Sequence, residues 1–306
     1  DAALREAEAR LREGRIVAIK GLGGFQLACD ATNAEAVCQL RLRKRRPHKP
    51  FAVMMLDLEM AGHYAQLDAH ERDLLTSSAA PIVLLRRGGD AMLPEEVAPR
   101  SDIIGMMLPY TPLHHLLMGD LRLPLVMTSG NLSEEPIACR NEEALRRLSG
   151  IADLFLMHDR DIHTRYDDSV WFVAGGESQP VRRARGYAPF PLHLPVQTRA
   201  ILACGPYLKN TLCLTRGEHA FLSQHIGDME NLETETFWEQ VRAHYSEMFE
   251  IAPQIIATDM HPDYATTRLG RGLRGRQVAV QHHHAHLAAC LADNGVAAPA
   301  IGVILY

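Results

Sequence analysis

Four clusters in this 306-residue chain carry residue types that do chemistry. The first is Arg41 to Lys49, where six of nine positions are Lys or Arg and His48 adds another nitrogen side chain. Fixed cations packed this densely are what a triphosphate or an acyl phosphate needs. The other reading is a solvated helix end, where Lys and Arg also gather. The second is Thr128-Ser129-Gly130-Asn131-Leu132-Ser133, entered from the apolar run 123–127. Hydroxyls and backbone N–H groups at the carboxyl end of a strand lie where open sheets bind ligands, and a glycine there admits a phosphate oxygen. An ordinary turn has the same composition. The third is Arg182-Arg183-Ala184-Arg185, with Asp167-Asp168-Ser169 just upstream. Together the three predict a nucleotide or phosphate site. No G-x-x-x-x-G-K-[ST] occurs, so the site is not a P-loop. Gly21-Leu22-Gly23-Gly24 reads first as a turn.

The fourth cluster is Gln281-His282-His283-His284-Ala285-His286, holding four of the 16 histidines. On a helix, His282 and His286 stand four apart, face the same way and can share one metal ion. Exposed or hydrogen-bonded histidines are the competing reading. Two ligands do not complete a site, so others must come from elsewhere. Asp259 and His261 lie one strand upstream, with helix capping the expected role for Asp259. Six dispersed cysteines form no C-x-x-C pair, and this scatter favours a reducing cytoplasm over a secreted disulfide framework.

These clusters need elements to hold them. Periodicity predicts helices over residues 2–13, 34–42 (capped by Asn33), from Pro112, 141–148 (capped by Asn141), 233–249 and 282–293. Strands are expected at 15–20, 51–56, 81–85, 103–108, 123–127, 154–157, 169–173 and 180–183. Pro189, Pro191 and Pro195 mark a linker. Beyond it, 200–204, 211–215 and 220–223 read as an antiparallel meander, followed by strands 254–258 and 277–280. The apolar run 300–306 reads as a strand that is cut, so the chain reads as a piece of a longer protein. Strands alternating with helices give an α/β (α+β) class with mixed sheets.

Composition excludes several alternatives. Apolar residues are 47% and charged residues 23%, average for a globular protein and unlike a disordered chain, a collagen or a coiled coil. No apolar run approaches the ~20 residues that span a bilayer, so no membrane association is expected. Lys+Arg 32 against Asp+Glu 37 gives −5, so any anion site is local and general nucleic-acid binding is disfavoured.

Lys44-Arg45-Arg46-Pro47, Lys49-Pro50-Phe51 and Leu125 to Asn131 resemble the YrdC-like domain. Leu208-Lys209-Asn210-Thr211, Leu222 to Asp228 and Gln281 to His286 resemble the N-terminal lobe of the Kae-like, actin-like (ASKHA) domain. Lys20 to Phe25, Met107 to Leu117 and Arg183 to Tyr187 are close to the wording of the HypF family of [NiFe]-hydrogenase maturation, in which the two domains occur in tandem. The resemblance implies a YrdC-like twisted mixed sheet domain over 1–190. A partial, truncated Kae-like carbamoyltransferase lobe follows over 198–306.

The function implied is ATP-dependent carbamoyl transfer through a carbamoyl adenylate to the C-terminal cysteine of HypE. Carbamoyl phosphate, cleaved to carbamate by an acylphosphatase domain, supplies the group. Lys44, Arg46 and Lys49 would hold the triphosphate with Mg²⁺, and Lys20 the carbamate. Thr128, Ser129 and Asn131 would hold the nucleotide phosphate, with Ser169, Arg183 and Arg185 around the same cavity. His282 and His286 match the family's paired metal histidines, with zinc or iron both suited to imidazole. His284 stands where related threonylcarbamoyl transferases carry glutamate. Lys209 and Asn210 lie near the implied nucleotide cleft, with a structural role as the alternative. The chain departs from the full pattern: it has no acylphosphatase region and no C-x-x-C zinc motifs, and it stops before an aspartate-glycine loop. Adenylate formation is therefore expected to survive, while carbamoyl phosphate cleavage and full transfer are impaired. The rivals are a small-molecule O-carbamoyltransferase, a tRNA threonylcarbamoyl-adenylate synthase and a non-enzymatic RNA-binding module. The attached Kae-like lobe weighs against the synthase. Net charge and the lack of stacking aromatics near the basic loop weigh against RNA binding.

Overall fold

The computed structural model describes residues 2–132, 135–296 and 299–305. Ser133 and Tyr306, named above, lie outside the described residues. The chain divides into two compact units, Asp1–Gly186 and Tyr187–Tyr306.

The first unit runs α1 (Ala2–Arg12), β1 (Val17–Lys20), β2 (Phe25–Asp30), α2 (Ala34–Lys44), β3 (Ala52–Met54), α3 (Leu58–Tyr64) and α4 (Ala69–Thr76). It continues β4 (Ile82–Arg86), β5 (Ile103–Met107), α5 (Pro112–Leu121), β6 (Leu125–Ser129), α6 (Asn141–Leu148), β7 (Leu154–Leu156), β8 (Val170–Ala174) and β9 (Glu177–Arg182). The strands form one nine-stranded sheet in the order β7-β1-β2-β6-β3-β5-β4-β8-β9. It is mixed, with β1/β7, β3/β5 and β4/β8 parallel and the remaining neighbours antiparallel.

Alternation along the strands splits the core into two layers. Ala18, Leu27, Cys29 and Val126 pack with Val37 and Leu40 of α2 and with Ala144 and Leu148 of α6. Val17, Ile19, Ala28 and Met127 pack on the opposite face with Ala7 and Leu11 of α1 and Leu117, Met118 and Leu121 of α5. By the same alternation Gln26 and Ser129 belong to the α1/α5 face.

The second unit is β10 (Leu192–Ala203), β11 (Cys213–Leu222), α7 (Leu232–Met248), β12 (Ile255–Asp259), α8 (Ala265–Arg271), β13 (Arg276–Val280) and α9 (His282–Asp293). Its sheet order is β11-β10-β12-β13, with β12 parallel to both neighbours. Trp238 and Tyr245 of α7 are the largest buried side chains of this core, and the Trp238 indole N–H donates to the Cys204 carbonyl at 3.1 Å.

Several expectations need correction. Strand β2, helices α3, α4 and α8 were absent from the sequence reading. Asn33 does cap α2, accepting from Ala36 N, but the helix extends two residues further, to Lys44. Asn141 is the first residue of α6, not its cap; Arg140 precedes it. The proline stretch is partly strand, because β10 starts at Leu192 and includes Pro195. The β10/β11 register shifts between His193 and Thr198, and such an irregularity tolerates a residue without an N–H. The expected three-strand meander is a single long hairpin of β10 and β11. Residues 299–305 form no strand.

Candidate functional site

In the first unit the site begins at the end of β6. Gly130 N donates to Phe25 O at 2.6 Å, folding the Thr-Ser-Gly-Asn turn over the start of β2. A Cβ at Gly130 would meet that carbonyl oxygen at 2.7 Å, so the close approach requires glycine. Ser129 Oγ donates to Asn131 Oδ1 at 2.8 Å, which sets the Asn131 amide.

Lys44, the last residue of α2, is 1% exposed. Its ammonium donates to Ser129 O at 2.7 Å and to Asn131 O and Oδ1, both at 2.6 Å. Three donors meeting three acceptors satisfy a buried ammonium. Burial first, and then the Arg46 charge, pull its pKa down to about 7. Lys44 therefore reaches the underside of the turn and fixes its shape.

Arg41 organises the basic loop from beneath. Its guanidinium donates to the carbonyls of Glu96, Arg46, Lys49 and Val97 and lies 4.4 Å from the Phe51 ring centroid. Arg46 donates to Lys49 O and Pro50 O, also beside Phe51. Burial pulls its pKa down to about 10, helped by the like charges of Arg182 and Arg41. Arg46 stays cationic at neutral pH, and an arriving anion would relieve that repulsion. Arg182 pairs with Asp167 at 2.6 Å. Lys49 is exposed, and Arg183 is half-buried beside Arg182.

Ser169 and Arg185, expected at the phosphates, are engaged elsewhere. Ser169 Oγ donates to Arg185 O and accepts from Ala184 N, both at 2.8 Å. Arg185 donates to Asp168 Oδ1, Ala79 O and Ala80 O, and stacks 3.5 Å from the Tyr110 ring centroid. Asp168 Oδ2 accepts from Gln26 Nε2 at 2.8 Å. Burial raises the Asp168 pKa against the opposing pull of Arg185, and raises that of Tyr110 well above its ordinary value. His114 packs edge-on to Tyr110 at 4.6 Å. Neither of its ring nitrogens has a hydrogen-bond partner among the described residues. Sequence reasoning had named Asp168 only as a neighbour of the arginine cluster, and it missed Gln26, Tyr110 and His114 around it.

The structure thus brings Lys44, Ser129 and Asn131 into direct contact. Thr128 is buried and stands opposite Leu27 in β2, with Ser129 opposite Gln26. Lys20, 2% exposed at the end of β1, donates to His158 O at 3.0 Å rather than to the turn.

In the second unit β12 ends at Asp259 opposite Val280, just before α9 starts. Gln281 caps α9, accepting from His284 N at 2.8 Å, and binds His283 Nδ1 through its amide nitrogen at 2.6 Å. His282 and His286 turn their Nε2 atoms to 3.1 Å from each other. Two imidazole nitrogens on one tetrahedral ion, each ~2.1 Å away, stand at about that spacing. His282 Nδ1 meets Asp259 Oδ2 at 2.6 Å. That places the proton on Nδ1 and leaves the Nε2 lone pair for a metal, the usual support of a ligating histidine. The pair therefore fits a divalent ion such as zinc or iron as two of its ligands. Among the described residues no group of three or more His, Cys, Asp or Glu completes the set. Asp259 is not the helix cap expected: α8 starts at Ala265, and its carboxylate is taken by His282 and by His261 N. Asn210 is fully buried and clamps Cys204 O and Pro206 O, while Lys209 N donates to Asp228.

The nine-stranded mixed sheet with a cation-held turn defines a YrdC-like domain, and the second unit is a Kae1-like lobe. Residues 9–184 match the Sua5/YciO/YrdC family, described as "Telomere recombination", and residues 196–293 match the "HypF Kae1-like domain". The carbamoyltransferase HypF2 of Cupriavidus necator is 49% identical over 99% of this chain and 40% of its own length. The carbamoyltransferase HypF of Synechocystis is 47% identical over 96% of this chain and 38% of its own length. A crystal structure of full-length HypF in a phosphate- and nucleotide-bound form superposes with a TM-score of 0.93 at 46% identity, covering 96% of this chain and 47% of that one. The chain belongs to the HypF family. It spans about two fifths of the length of these two curated relatives.

Proposed function

We propose that the chain joins carbamate to the AMP moiety of ATP in its first unit, and that its second unit is part of the lobe that passes the carbamoyl group on. The observation that carries this is the Ser129–Asn131 turn, held by the buried Lys44 ammonium. The nucleotide-bound state of the HypF relative supports ATP as the ligand.

A carbamate oxygen attacks the α-phosphorus, and the bond to the bridging oxygen of the β-phosphate breaks. Pyrophosphate leaves and carbamoyl adenylate remains. Negative charge builds on the α-phosphate oxygens, so preorganised cations and N–H donors lower the barrier most. Arg46 and the exposed Lys49 provide charge for the triphosphate, which arrives with Mg²⁺, and Arg183 adds to the same field. Lys44 acts from below, keeping Ser129 and Asn131 in shape. Thr128 is the buried penultimate residue of β6, the strand that presents the turn. Lys20 contributes positive charge at the neighbouring strand end, where we place the carbamate. Ser169 and Arg185 hold the surrounding wall.

In the second unit a divalent metal held by His282 and His286 would act as a Lewis acid on the adenylate phosphate. The acceptor is the terminal cysteine thiol of HypE, which attacks the carbamoyl carbon and releases AMP. Carbamoyl phosphate is the upstream source of the carbamate, and [NiFe]-hydrogenase maturation is the setting. Six free thiols support a reducing cytoplasm as the compartment, and no described helix is long and apolar enough to cross a membrane.

The test is ATP affinity by calorimetry. Lys44→Ala combined with Arg46→Ala should abolish measurable binding while the far-ultraviolet spectrum is retained. Unchanged affinity would overturn the assignment of the anion site.

A further inference from the structure

The proposed adenylation leaves open how the site tells carbamate from other small carboxylates formed with carbon dioxide. We propose that Gln26 is the residue that reads the unsubstituted amide nitrogen of carbamate; this rests on the function proposed above.

Gln26 is 4% exposed, and its Oε1 has no hydrogen-bond partner among the described residues. An acceptor buried without a donor loses its hydration with nothing in return, so its retention asks for a ligand that donates. The orientation of the amide is set from behind. Arg185 holds Asp168 Oδ1 through two donors at 3.1 and 3.0 Å. The other carboxylate oxygen of Asp168 accepts from Gln26 Nε2 at 2.8 Å. A flipped amide would set oxygen against carboxylate, so Oε1 must point away from Asp168.

It points toward Gly21. A Cβ built on Gly21 would lie 3.8 Å from Gln26 Oε1, 3.9 Å from the Tyr110 hydroxyl and 3.0 Å from Gly24 O. Glycine at position 21 therefore puts no side chain into the gap between Gln26 Oε1 and Gly24 O. Two carbonyl-type oxygens bound it. Gly24 O already accepts from Gly21 N at 2.8 Å, and a carbonyl has a second lone pair. A group with two N–H donors matches these two acceptors, and the NH₂ of carbamate is such a group. Bicarbonate offers one O–H donor there. An N-substituted carbamate has one N–H donor and leaves one of these two oxygens unpaired. The position suits the chemistry, because Gln26 stands directly opposite Ser129 in the β2/β6 pair, beside the turn proposed to hold the phosphate.

The experiment is exchange of labelled pyrophosphate into ATP by the whole chain. It is run with carbamate, with N-methylcarbamate and with threonine plus bicarbonate. Wild type should exchange with carbamate only. Gln26→Met keeps the length and removes the acceptor. It should raise the KM for carbamate about tenfold, the scale of one lost hydrogen bond, with kcat much less affected and ATP affinity unchanged. Gln26→Ala opens the space and should admit N-methylcarbamate. The inference is overturned if Gln26→Met leaves the carbamate KM unaltered. It is equally overturned if wild type already uses N-methylcarbamate as well as carbamate. Absence of carbamate-dependent exchange in wild type would defeat the proposed function itself, and this inference with it. Retained ATP binding in both variants controls for misfolding.

Discussion

His114 shows how a single side chain ties this fold to pH. It is fully buried, and burial, followed by the Arg185 and His115 charges, pulls its pKa down to about 3. The unfolded chain protonates it near its ordinary value of 6.5. The folded-state pKa is the lower one, so its contribution is full above 6.5 and is lost as pH falls through about 3. At 1.36 kcal/mol per pH unit this amounts to at most about 5 kcal/mol. Denaturant unfolding of wild type and His114→Phe should therefore diverge between pH 6.5 and 4, with wild type losing more stability. Parallel curves would show that His114 is not the group responsible. Little of this was legible in the sequence. Gln26 and Asp168 are 142 residues apart, and no local pattern joins them. Ser129 and Asn131 were legible because polar residues closing a buried apolar strand are conspicuous. Lys44 was legible as a cation, but its place beneath the turn was not, because only α2 packing on the sheet buries it.

At the scale of elements, the proposed metal pair sits at a strand-to-helix junction. Asp259 ends β12 and His282 starts α9, and the β12/β13 register brings them together. Helix capping was a local guess for Asp259, while its actual partner is 23 residues away. Asp259→Asn should lower zinc affinity about 10–100-fold in chelator competition, the usual effect of losing such a support. The reason is geometric: an amide nitrogen facing Nδ1 would shift the proton to Nε2, the atom needed for the metal. Nitrogen chemical shifts of the metal-free protein should report that tautomer change at His282. His286→Ala should abolish zinc binding outright. Unchanged zinc stoichiometry in His286→Ala would make the histidine run structural. Wild-type affinity in Asp259→Asn would limit Asp259 to holding the backbone. Elements with clean periodicity were readable, as α9 over 282–293 shows. Strand β2 was not, because Gln26, Cys29 and Asp30 break its apolar run although all but Asp30 are buried. Pro195 concealed the start of β10 in the same way, since a register shift absorbs the missing donor.

At the scale of the whole molecule, each unit holds its own core and its own site. The first presents a cation-supported turn and an orphaned acceptor two strands from the sheet edge; the second presents paired imidazoles backed by a carboxylate. Average composition and a net charge of −5 announced a globular chain with local anion sites, and the structure places cations around the C-terminal ends of α2 and β9. The central claim is that the first unit activates carbamate on ATP. Pyrophosphate exchange by the whole chain tests it most directly, with carbamate and carbamoyl phosphate supplied separately and threonine plus bicarbonate as the competing set. Exchange is expected with carbamate and not with carbamoyl phosphate. Exchange with threonine plus bicarbonate alone would contradict it and move the chain to threonylcarbamoyl-adenylate chemistry.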